Sequence, residues 1–393
     1  MESTPPPSSR PPPDDATSTN FSHPWSRDQF RANAHAAVDF IVSYLERLEQ
    51  QQPSSPWPVA SQVEPGYLRP RLPRSAPEEG DDGGRGGAAA AAAAAATAAA
   101  GSSTFSTSSA GFNSFLSDVE THILPGLTHW QSPNFFSYYP ANSSLPGILG
   151  EMLCAAFNVI GFSWAGSPAA TELEGVVLDW LAEAMGLPAC FYSPEANSES
   201  VGGGCIQSTA SDAALVALLA ARARALAPLK EEEEEDELPP PPGSHNEDTD
   251  NASKLTVYTS EQAHCCVKKA CMVAGIPFSR VREIAAPEEN GFEIDADALR
   301  RAIEEDLEQG LVPCLVVATV GTTPSCAVDD LRAVADAMDA AFEKKEKNLP
   351  RRRKPWLHVD AAFAGVASLC EEYRDILNGA ERCDSLSTNF HKW

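Results

Sequence analysis

Polar residues that could take part in catalysis follow three apolar, β-branched stretches of the sequence. Asp360 comes directly after "WLHV", Thr322 and Thr323 follow "LVVATVG", and His264 comes shortly after "LTVYTS". Lys392 lies about one βαβ crossover beyond Asp360. Because open parallel sheets bind ligands beyond the carboxyl ends of their strands, these side chains are expected at one ligand-binding edge.

An anion site is predicted where "GGGCIQS" leads into a long helix. Thr209, Ala210 and Ser211 open this helix, where free backbone N–H groups and the helix dipole suit a phosphate. Thr209 with Asp212 also reads as a plain capping box, so stabilisation of the helix end is a competing interpretation.

The remaining candidates have structural alternatives too. Asp360 can be a turn residue, His264 a hydrogen-bonded helix residue, and Lys392 a solvated surface charge. Together, however, an anion cradle, an imidazole, a carboxylate and a lysine are the parts that hold pyridoxal phosphate. The lysine forms the Schiff base, and the aspartate keeps the ring nitrogen protonated, so that the ring withdraws electrons from the substrate's α-carbon.

The elements that position these residues alternate between helices and short strands from about residue 126. The predicted strands are "KLTVYTS", "CLVVATVGTT" and "WLHVDAAFAG". The predicted helices are "ASDAALVALLAARARALA", "EQAHCCVKKACMVAG", "ADALRRAIEEDLEQG" and "DDLRAVADAMDAAFEKK". This alternation predicts an α/β fold with a mostly parallel sheet covered by helices on both faces.

Three domains or segments are predicted. Residues 1–20 are rich in Pro and Ser and are expected to be disordered. Residues 21–125 form an N-terminal helical segment, with helices expected near 26–50 and 112–127. Residues 126–393 form the large cofactor-binding domain. Low-complexity inserts are predicted at residues 75–110, 230–253 and 343–354.

Composition excludes several other classes of protein. The formal charge of −26 argues against nucleic acid as a partner, since phosphate backbones need a basic surface. No apolar run reaches transmembrane length, and the first residues do not resemble a signal peptide. The ten cysteines contain no CxxC pair, and the eight histidines show no metal-ligand spacing. A cytoplasmic protein with reduced thiols and without a bound metal is therefore expected.

The sequence resembles the aromatic L-amino-acid decarboxylases, the group II pyridoxal phosphate enzymes that act on tyrosine, tryptophan or dopa, and its plant members most of all. The matching stretches are "VDFIVSYLERLEQ", "SQVEPGYLRPRLP", "HILPGLTHWQSPNFFSYYPANSS", "IGFSWAGSPAATELE", "EQAHCCVKKACMVAG", "VATVGTT", "HVDAAFAG" and "HKW". "HVDAA" and "HKW" in this order form the most specific part of the match. The resemblance implies the fold of type I pyridoxal phosphate enzymes.

The resemblance also implies a role for each matching position. Lys392 would form the Schiff base, Asp360 would pair with the ring nitrogen, and His264 and Ala362 would lie on opposite faces of the ring. The phosphate would be held by Ala210 and Ser211, with Thr323 and Asn389 as further candidates, and His391 precedes the lysine. The positions that match the aromatic substrate site are Trp130, Tyr138, Tyr139, Pro140, Ile160 and Phe162. Core or dimer-interface packing is the alternative role for these aromatic and aliphatic residues.

The implied reaction is decarboxylation of an aromatic L-amino acid to an arylalkylamine and carbon dioxide, in a homodimer whose site is shared between subunits. The family chain continues beyond "HKW" and carries a loop residue that separates decarboxylases from aromatic acetaldehyde synthases. We therefore expect the C-terminal part of the fold to be missing and the chain alone to be inactive and poorly soluble. Aldehyde synthesis and an inactive truncated paralogue are the alternative functions.

Smaller departures from the family pattern are Phe363, where tyrosine is usual, Phe390, where small residues or proline are common, and "HCC" in place of "HSS".

Overall fold

The computed structural model describes residues 25–50, 58–72, 109–139, 141–161, 163–227, 252–343 and 354–393. The disorder predicted for residues 1–20 and almost all of the three predicted inserts lie outside these ranges. The chain forms two compact units, Met1–Tyr138 and Tyr139–Trp393.

The N-terminal unit contains helix α1 (Arg27–Glu49) and helix α2 (Ser109–Asp118). The capping box predicted for α1 is confirmed, because Ser26 Oγ accepts the Gln29 N–H and Gln29 Oε1 accepts the Ser26 N–H. These bonds satisfy two donors that a helix start would otherwise leave free.

The second helix of this unit changes its winding before it ends. After α2 the chain forms a π-helical turn, Val119–Ile123, and then a 3₁₀ turn, Leu124–Gly126. Proline cannot donate a backbone N–H, so Pro125 fits the first turn of a new helical segment but not the interior of a continuous helix. The single helix predicted for 112–127 is thus three short segments.

The C-terminal unit contains six α-helices and five strands among its described residues. The helices are α3 (Leu145–Phe157), α4 (Pro168–Ala184), α5 (Ala210–Leu226), α6 (Cys266–Val273), α7 (Ala296–Glu308) and α8 (Leu331–Glu343). The strands are β1 (Leu255–Ser260), β2 (Val281–Ile284), β3 (Val312–Thr319), β4 (Trp356–Ala361) and β5 (Ser385–Thr388).

The five strands form one parallel sheet in the order β2-β1-β3-β4-β5. From β1 the chain moves first to one side of the sheet and then to the other, so the order reverses between β1 and β3. In sheets of this kind the carboxyl ends of the two strands at the reversal leave a crevice for a ligand.

Apolar side chains pack on both faces of the sheet. On one face, Val257, Leu315 and Val317 contact residues of α5 and α6. On the other face, Val316 and Val359 pack with residues of α7 and α8. Because helices cover both faces, the residues of the central strands β1 and β3 are buried almost without interruption, which confirms the predicted parallel α/β class.

Three predicted strands and three predicted helices are confirmed in type and approximate position. The helix predicted from Glu261 is wrong in its start, since α6 begins only at Cys266. The short strands β2 and β5 were not predicted from the sequence.

Among the described residues, no helix combines the length and the apolar character needed to cross a membrane.

Candidate active site

Asp360 is the central carboxylate at the carboxyl edge of the sheet. It is the penultimate residue of β4, is 7% exposed, and lies in register between Thr319 of β3 and Ser387 of β5. Asp360 Oδ1 accepts the Ala362 N–H at 3.1 Å, and the Cys266 thiol lies 3.9 Å from Oδ2. The side chain is therefore held on the face covered by α5 and α6, as a buried acceptor.

His264 lies in the turn between β1 and α6. Its Nδ1 accepts the Cys266 N–H at 3.1 Å, so the neutral ring carries its proton on Nε2. Burial lowers the pKa of His264, the negative charge of Asp360 opposes this shift, and the positive charges of Lys392 and Lys269 reinforce it. The imidazole is thus neutral at neutral pH, within the electrostatic reach of both Asp360 and Lys392.

Lys392 lies in a 3₁₀ turn, Phe390–Lys392, which begins two residues after β5 ends. Its Nζ is 5.8 Å from the ring centroid of Tyr139. Two bonds fix the neighbouring backbone and side chain: the Asn142 N–H donates to the His391 carbonyl at 2.7 Å, and Trp393 Nε1 donates to the Phe363 carbonyl at 2.5 Å.

The second residue after β3, Gly321, is a glycine that no other residue could replace without strain. Gly321 has a φ of +88°, and a Cβ there would lie 2.6 Å from the Cβ of Ala364. The next residue, Thr322, is buried, and its Oγ1 accepts the Ala327 N–H at 3.0 Å. Ser325 donates to Gln262 Oε1, so the Thr322 hydroxyl donates to Ser325 Oγ.

The exposed neighbour, Thr323, turns its carbonyl toward Tyr139, whose hydroxyl donates to it at 2.6 Å.

The N-terminus of α5 has the capping interaction that the sequence offered as the alternative to phosphate binding. Thr209 Oγ1 accepts the Asp212 N–H at 3.1 Å and also lies 3.0 Å from the Asp212 carboxylate. Ala210 and Ser211 occupy the first two helical positions and are half-buried. The cap uses the Asp212 N–H and leaves the N–H groups of Ala210 and Ser211 available to an anion. Capping therefore does not exclude phosphate binding, and the phosphate role of Ala210 and Ser211 stays a prediction.

The other predicted cofactor residues have more varied surroundings. Ala362 is buried and supplies the N–H that Asp360 accepts. Asn389 is half-buried in extended backbone between β5 and the lysine turn, whereas the His391 side chain is exposed.

The predicted substrate residues are divided between the two units. In the N-terminal unit, the Trp130 ring lies 4.6 Å from Phe135 and 6.0 Å from Tyr138, which is 88% exposed. In the C-terminal unit, Ile160 is exposed and Tyr139 lies beside Lys392. Pro140 and Phe162 lie outside the described residues.

Sequence reasoning missed the contact of Cys266 with Asp360. The predicted helix began at Glu261, whereas the observed helix begins at Cys266 and turns this buried thiol toward the sheet. Burial, reinforced by the charge of Asp360, raises the pKa of Cys266 to about 12, so the thiol remains a weak hydrogen-bond donor. The sequence feature that could have indicated this contact is "HCC", where the family usually has "HSS".

A model of the pyridoxal-dependent decarboxylase conserved domain matches residues 99–393. The chain belongs to the pyridoxal-dependent decarboxylase family. Its similarity extends to tryptophan decarboxylase 2 of Oryza sativa subsp. japonica, with 41% identity over 94% of this chain and 60% of the relative. Tyrosine decarboxylase 2 of Narcissus pseudonarcissus is 40% identical over 94% of this chain and 60% of its own length.

A solved structure, 4-hydroxyphenylacetaldehyde synthase of Rhodiola rosea, superposes with a TM-score of 0.73 and 35% identity, over 94% of this chain and 64% of that protein. The chain thus spans about three fifths of the length of the curated relatives it matches.

Buried hydroxyl groups beside Asp360 indicate that the site fits pyridoxal phosphate, the family's cofactor. Thr319 Oγ1 and Thr259 Oγ1 are buried and have no hydrogen-bond partner among the described residues. By register both side chains lie on the sheet face of Asp360, and Thr319 pairs directly with it. A polar ring bound against Asp360 would give the Thr319 hydroxyl a partner, since buried polar groups without one are rare.

Proposed function

We propose that the protein belonging to this chain decarboxylates an aromatic L-amino acid, such as tyrosine, tryptophan, dopa or phenylalanine, to the arylalkylamine with pyridoxal phosphate. The observation that carries the proposal is the convergence of His264, Asp360 and Lys392 at the carboxyl edge of the sheet. The three residues come from segments after β1, in β4 and after β5, and the charges of Asp360 and Lys392 both act on His264.

The residues at this edge would hold the cofactor in a defined orientation. Lys392 would bind its aldehyde, Asp360 would pair with the ring nitrogen, and His264 and Ala362 would lie on its two faces. Ala210, Ser211, Thr323 and Asn389 would hold its phosphate. When bound, this group supplies an electron sink for the substrate's α-carbon.

The protein's own contribution is electrostatic and positional. Asp360 is buried and fixed by the Ala362 N–H, so a cationic ring nitrogen would meet a preorganised acceptor that needs little rearrangement. His264 is kept neutral by burial, and it therefore adds no positive charge beside the ring. Lys392 is presented on a short turn whose backbone is anchored through His391 to Asn142.

An aromatic substrate is supported by two of the similar proteins, a tryptophan decarboxylase and a tyrosine decarboxylase. Trp130, Tyr138, Tyr139, Pro140, Ile160 and Phe162 are the residues we propose for its ring. Aromatic acetaldehyde synthesis is the second candidate, because the structurally similar Rhodiola rosea protein is an aldehyde synthase.

Homodimerisation is part of the proposal and is supported by helix α3. Its large apolar side chains are exposed, including Leu145 at 62%, Leu153 at 54% and Phe157 at 70%. A surface of this kind is typical of a protein–protein interface, and a second copy of this chain is the partner we propose.

A cytoplasmic location is supported by the ten cysteines, since none of them forms a disulfide. The division of the chain into an N-terminal segment to residue 125 and a cofactor domain from residue 126 also remains a proposal.

The test is absorbance spectroscopy of the purified chain with pyridoxal phosphate, followed by borohydride reduction and peptide mapping. We expect the reduced cofactor on Lys392 and its loss in Lys392→Ala, with Lys269→Ala as the matched lysine control. Incorporation distributed over several lysines, unchanged in Lys392→Ala, would contradict the proposal. Chromatography of the products from tyrosine and tryptophan then separates amine from aldehyde.

A further inference from the structure

Tyr139 is fixed at the loop that follows β3. Its hydroxyl donates to the Thr323 carbonyl at 2.6 Å and approaches the Thr322 carbonyl at 3.2 Å. The Thr322 carbonyl already accepts the Cys326 N–H at 2.8 Å, so the bond to Thr323 is the principal one. Burial and the neighbouring Cys326 raise the pKa of Tyr139 to about 12, which keeps the hydroxyl protonated at neutral pH.

A tyrosine hydroxyl has a single proton, and here that proton is directed at main-chain carbonyls. The hydroxyl oxygen can still accept a hydrogen bond, and Cys326 lies beside it. The part of Tyr139 that faces Lys392 is its ring. The ring lies 4.2 Å from the Phe363 ring, centroid to centroid, and 5.8 Å from Lys392 Nζ. Phe363 in turn lies 5.6 Å from Trp393 and accepts its indole N–H through the backbone.

The Tyr139 side chain thus connects two segments that are far apart in sequence. At its hydroxyl end is the loop after β3, and at its ring face are Lys392 and the aromatic residues around the lysine turn. A lysine ammonium within about 6 Å of an aromatic centroid is attracted to the ring face.

We propose that Tyr139 is a positioning residue with two separable parts. Its hydroxyl fixes the loop after β3, and its ring supports the Lys392 ammonium. The role of the ring concerns how Lys392 is presented to a cofactor, so it rests on the proposed function. The role of the hydroxyl does not.

Two substitutions separate these parts. Tyr139→Phe keeps the ring and removes the hydroxyl, whereas Tyr139→Leu removes both. Tyr373→Phe, at an exposed tyrosine, is the matched control. All variants are measured without added cofactor.

Hydrogen exchange read by mass spectrometry tests the hydroxyl. The reporters are the amides of Gly321, Thr322 and Cys326, which bond within the loop. We expect exchange roughly two- to tenfold faster in Tyr139→Phe, the effect of one lost hydrogen bond, and no change in Tyr373→Phe. Equal exchange in Tyr139→Phe and the wild type overturns this part.

Reductive methylation of Lys392 by formaldehyde and cyanoborohydride tests the ring. We expect roughly two- to fivefold faster methylation in Tyr139→Leu, in line with a lost cation–π contact, and the wild-type rate in Tyr139→Phe. An unchanged rate in Tyr139→Leu overturns the ring's role.

Exchange at the β3 amides of Val316 and Val317 verifies that each variant retains the sheet, and Tyr139→Met replaces Tyr139→Leu if it does not. Failure to trap pyridoxal phosphate on Lys392 refutes the proposed function and leaves both of these readouts intact.

Discussion

Replacing Asp329 with asparagine should abolish a specific pH dependence of the sheet's stability. Asp329 is 1% exposed, and its two carboxylate oxygens accept the N–H groups of Ile294 at 2.8 Å and Thr319 at 2.7 Å. It therefore fixes the end of β3, whose Thr319 pairs with Asp360. Burial raises the pKa of Asp329 from 3.8 to about 6, against the opposing effect of these two N–H donors.

The sign of the effect follows from proton linkage. The folded state holds the proton of Asp329 more tightly than the unfolded state, so its contribution to stability is full below pH 3.8 and is lost as the pH rises through about 6. At about 1.4 kcal/mol for each pH unit between the two pKa values, the loss is about 3 kcal/mol. Most of it falls between pH 4 and pH 7, which corresponds to roughly a hundredfold change in an opening equilibrium.

The assay is hydrogen exchange at the β3 amides of Val316 and Val317, corrected for the intrinsic rate at each pH. Asp329→Asn cannot titrate, and it has lost one acceptor oxygen, which lowers its protection by a constant amount of about 1–3 kcal/mol. The ratio of wild-type to variant protection should therefore fall roughly a hundredfold from pH 4 to pH 7. Glu289→Gln, at an exposed carboxylate, should show no such trend. A constant ratio for Asp329→Asn would refute the reasoning.

Three further predictions concern other buried groups. Iodoacetamide at pH 8 should alkylate exposed Cys265 and leave Cys266 unmodified until the chain is unfolded, because Cys266 is buried and its pKa is about 12; equal labelling by mass spectrometry would contradict this. Burial lowers the pKa of His358, so its contribution to stability is present above pH 6.5 and lost as the pH falls; urea unfolding should show a smaller acid loss in His358→Gln than in the wild type. Asp306→Ala should cost about 1–3 kcal/mol in the same assay, because it leaves the buried Tyr258 hydroxyl without its acceptor and the half-buried Arg282 without its partner. Exposed Asp297→Ala should cost under about 1 kcal/mol.

The central strands were predictable because burial on both faces leaves a plain signal in the sequence. All six residues of β1 and seven of the eight in β3 are buried. The composition of β1 is rich in β-branched residues and that of β3 in aliphatic ones, and both are typical of buried strands. The strands at the ends of the observed order, β2 ("VREI") and β5 ("SLST"), are four residues long and mostly half-buried. Their pairing depends on the neighbouring strand, so local sequence patterns do not reveal them.

The placement of His264 and Asp360 at one edge was predictable from the strands that precede them, since the carboxyl ends of parallel strands meet there. Lys392 was expected nearby from its spacing after Asp360 alone, because β5, the strand that precedes it, was not predicted. The contacts that adjust the site were not. The Tyr139 hydroxyl reaches Thr323 across 184 residues of sequence, and the Cys266 thiol reaches Asp360 across 94. Such contacts are set by the packing of loops on the finished sheet, which leaves no periodicity in the sequence.

Strand β5 shows how a weakly apolar segment can still be placed accurately. Each ring nitrogen of buried His358 faces a serine of β5: Nδ1 is 2.8 Å from Ser385 Oγ and Nε2 is 3.3 Å from Ser387 Oγ. His358 lies two residues before Asp360 in β4, and Ser387 lies five residues before Lys392. Side-chain hydrogen bonds thus supplement the short backbone ladder and fix the register of the strand that delivers the lysine. Because the same strand, β4, holds both His358 and Asp360, the placement of the lysine is tied to that of the carboxylate. The polar composition that hid β5 from sequence analysis is therefore part of what positions the candidate site.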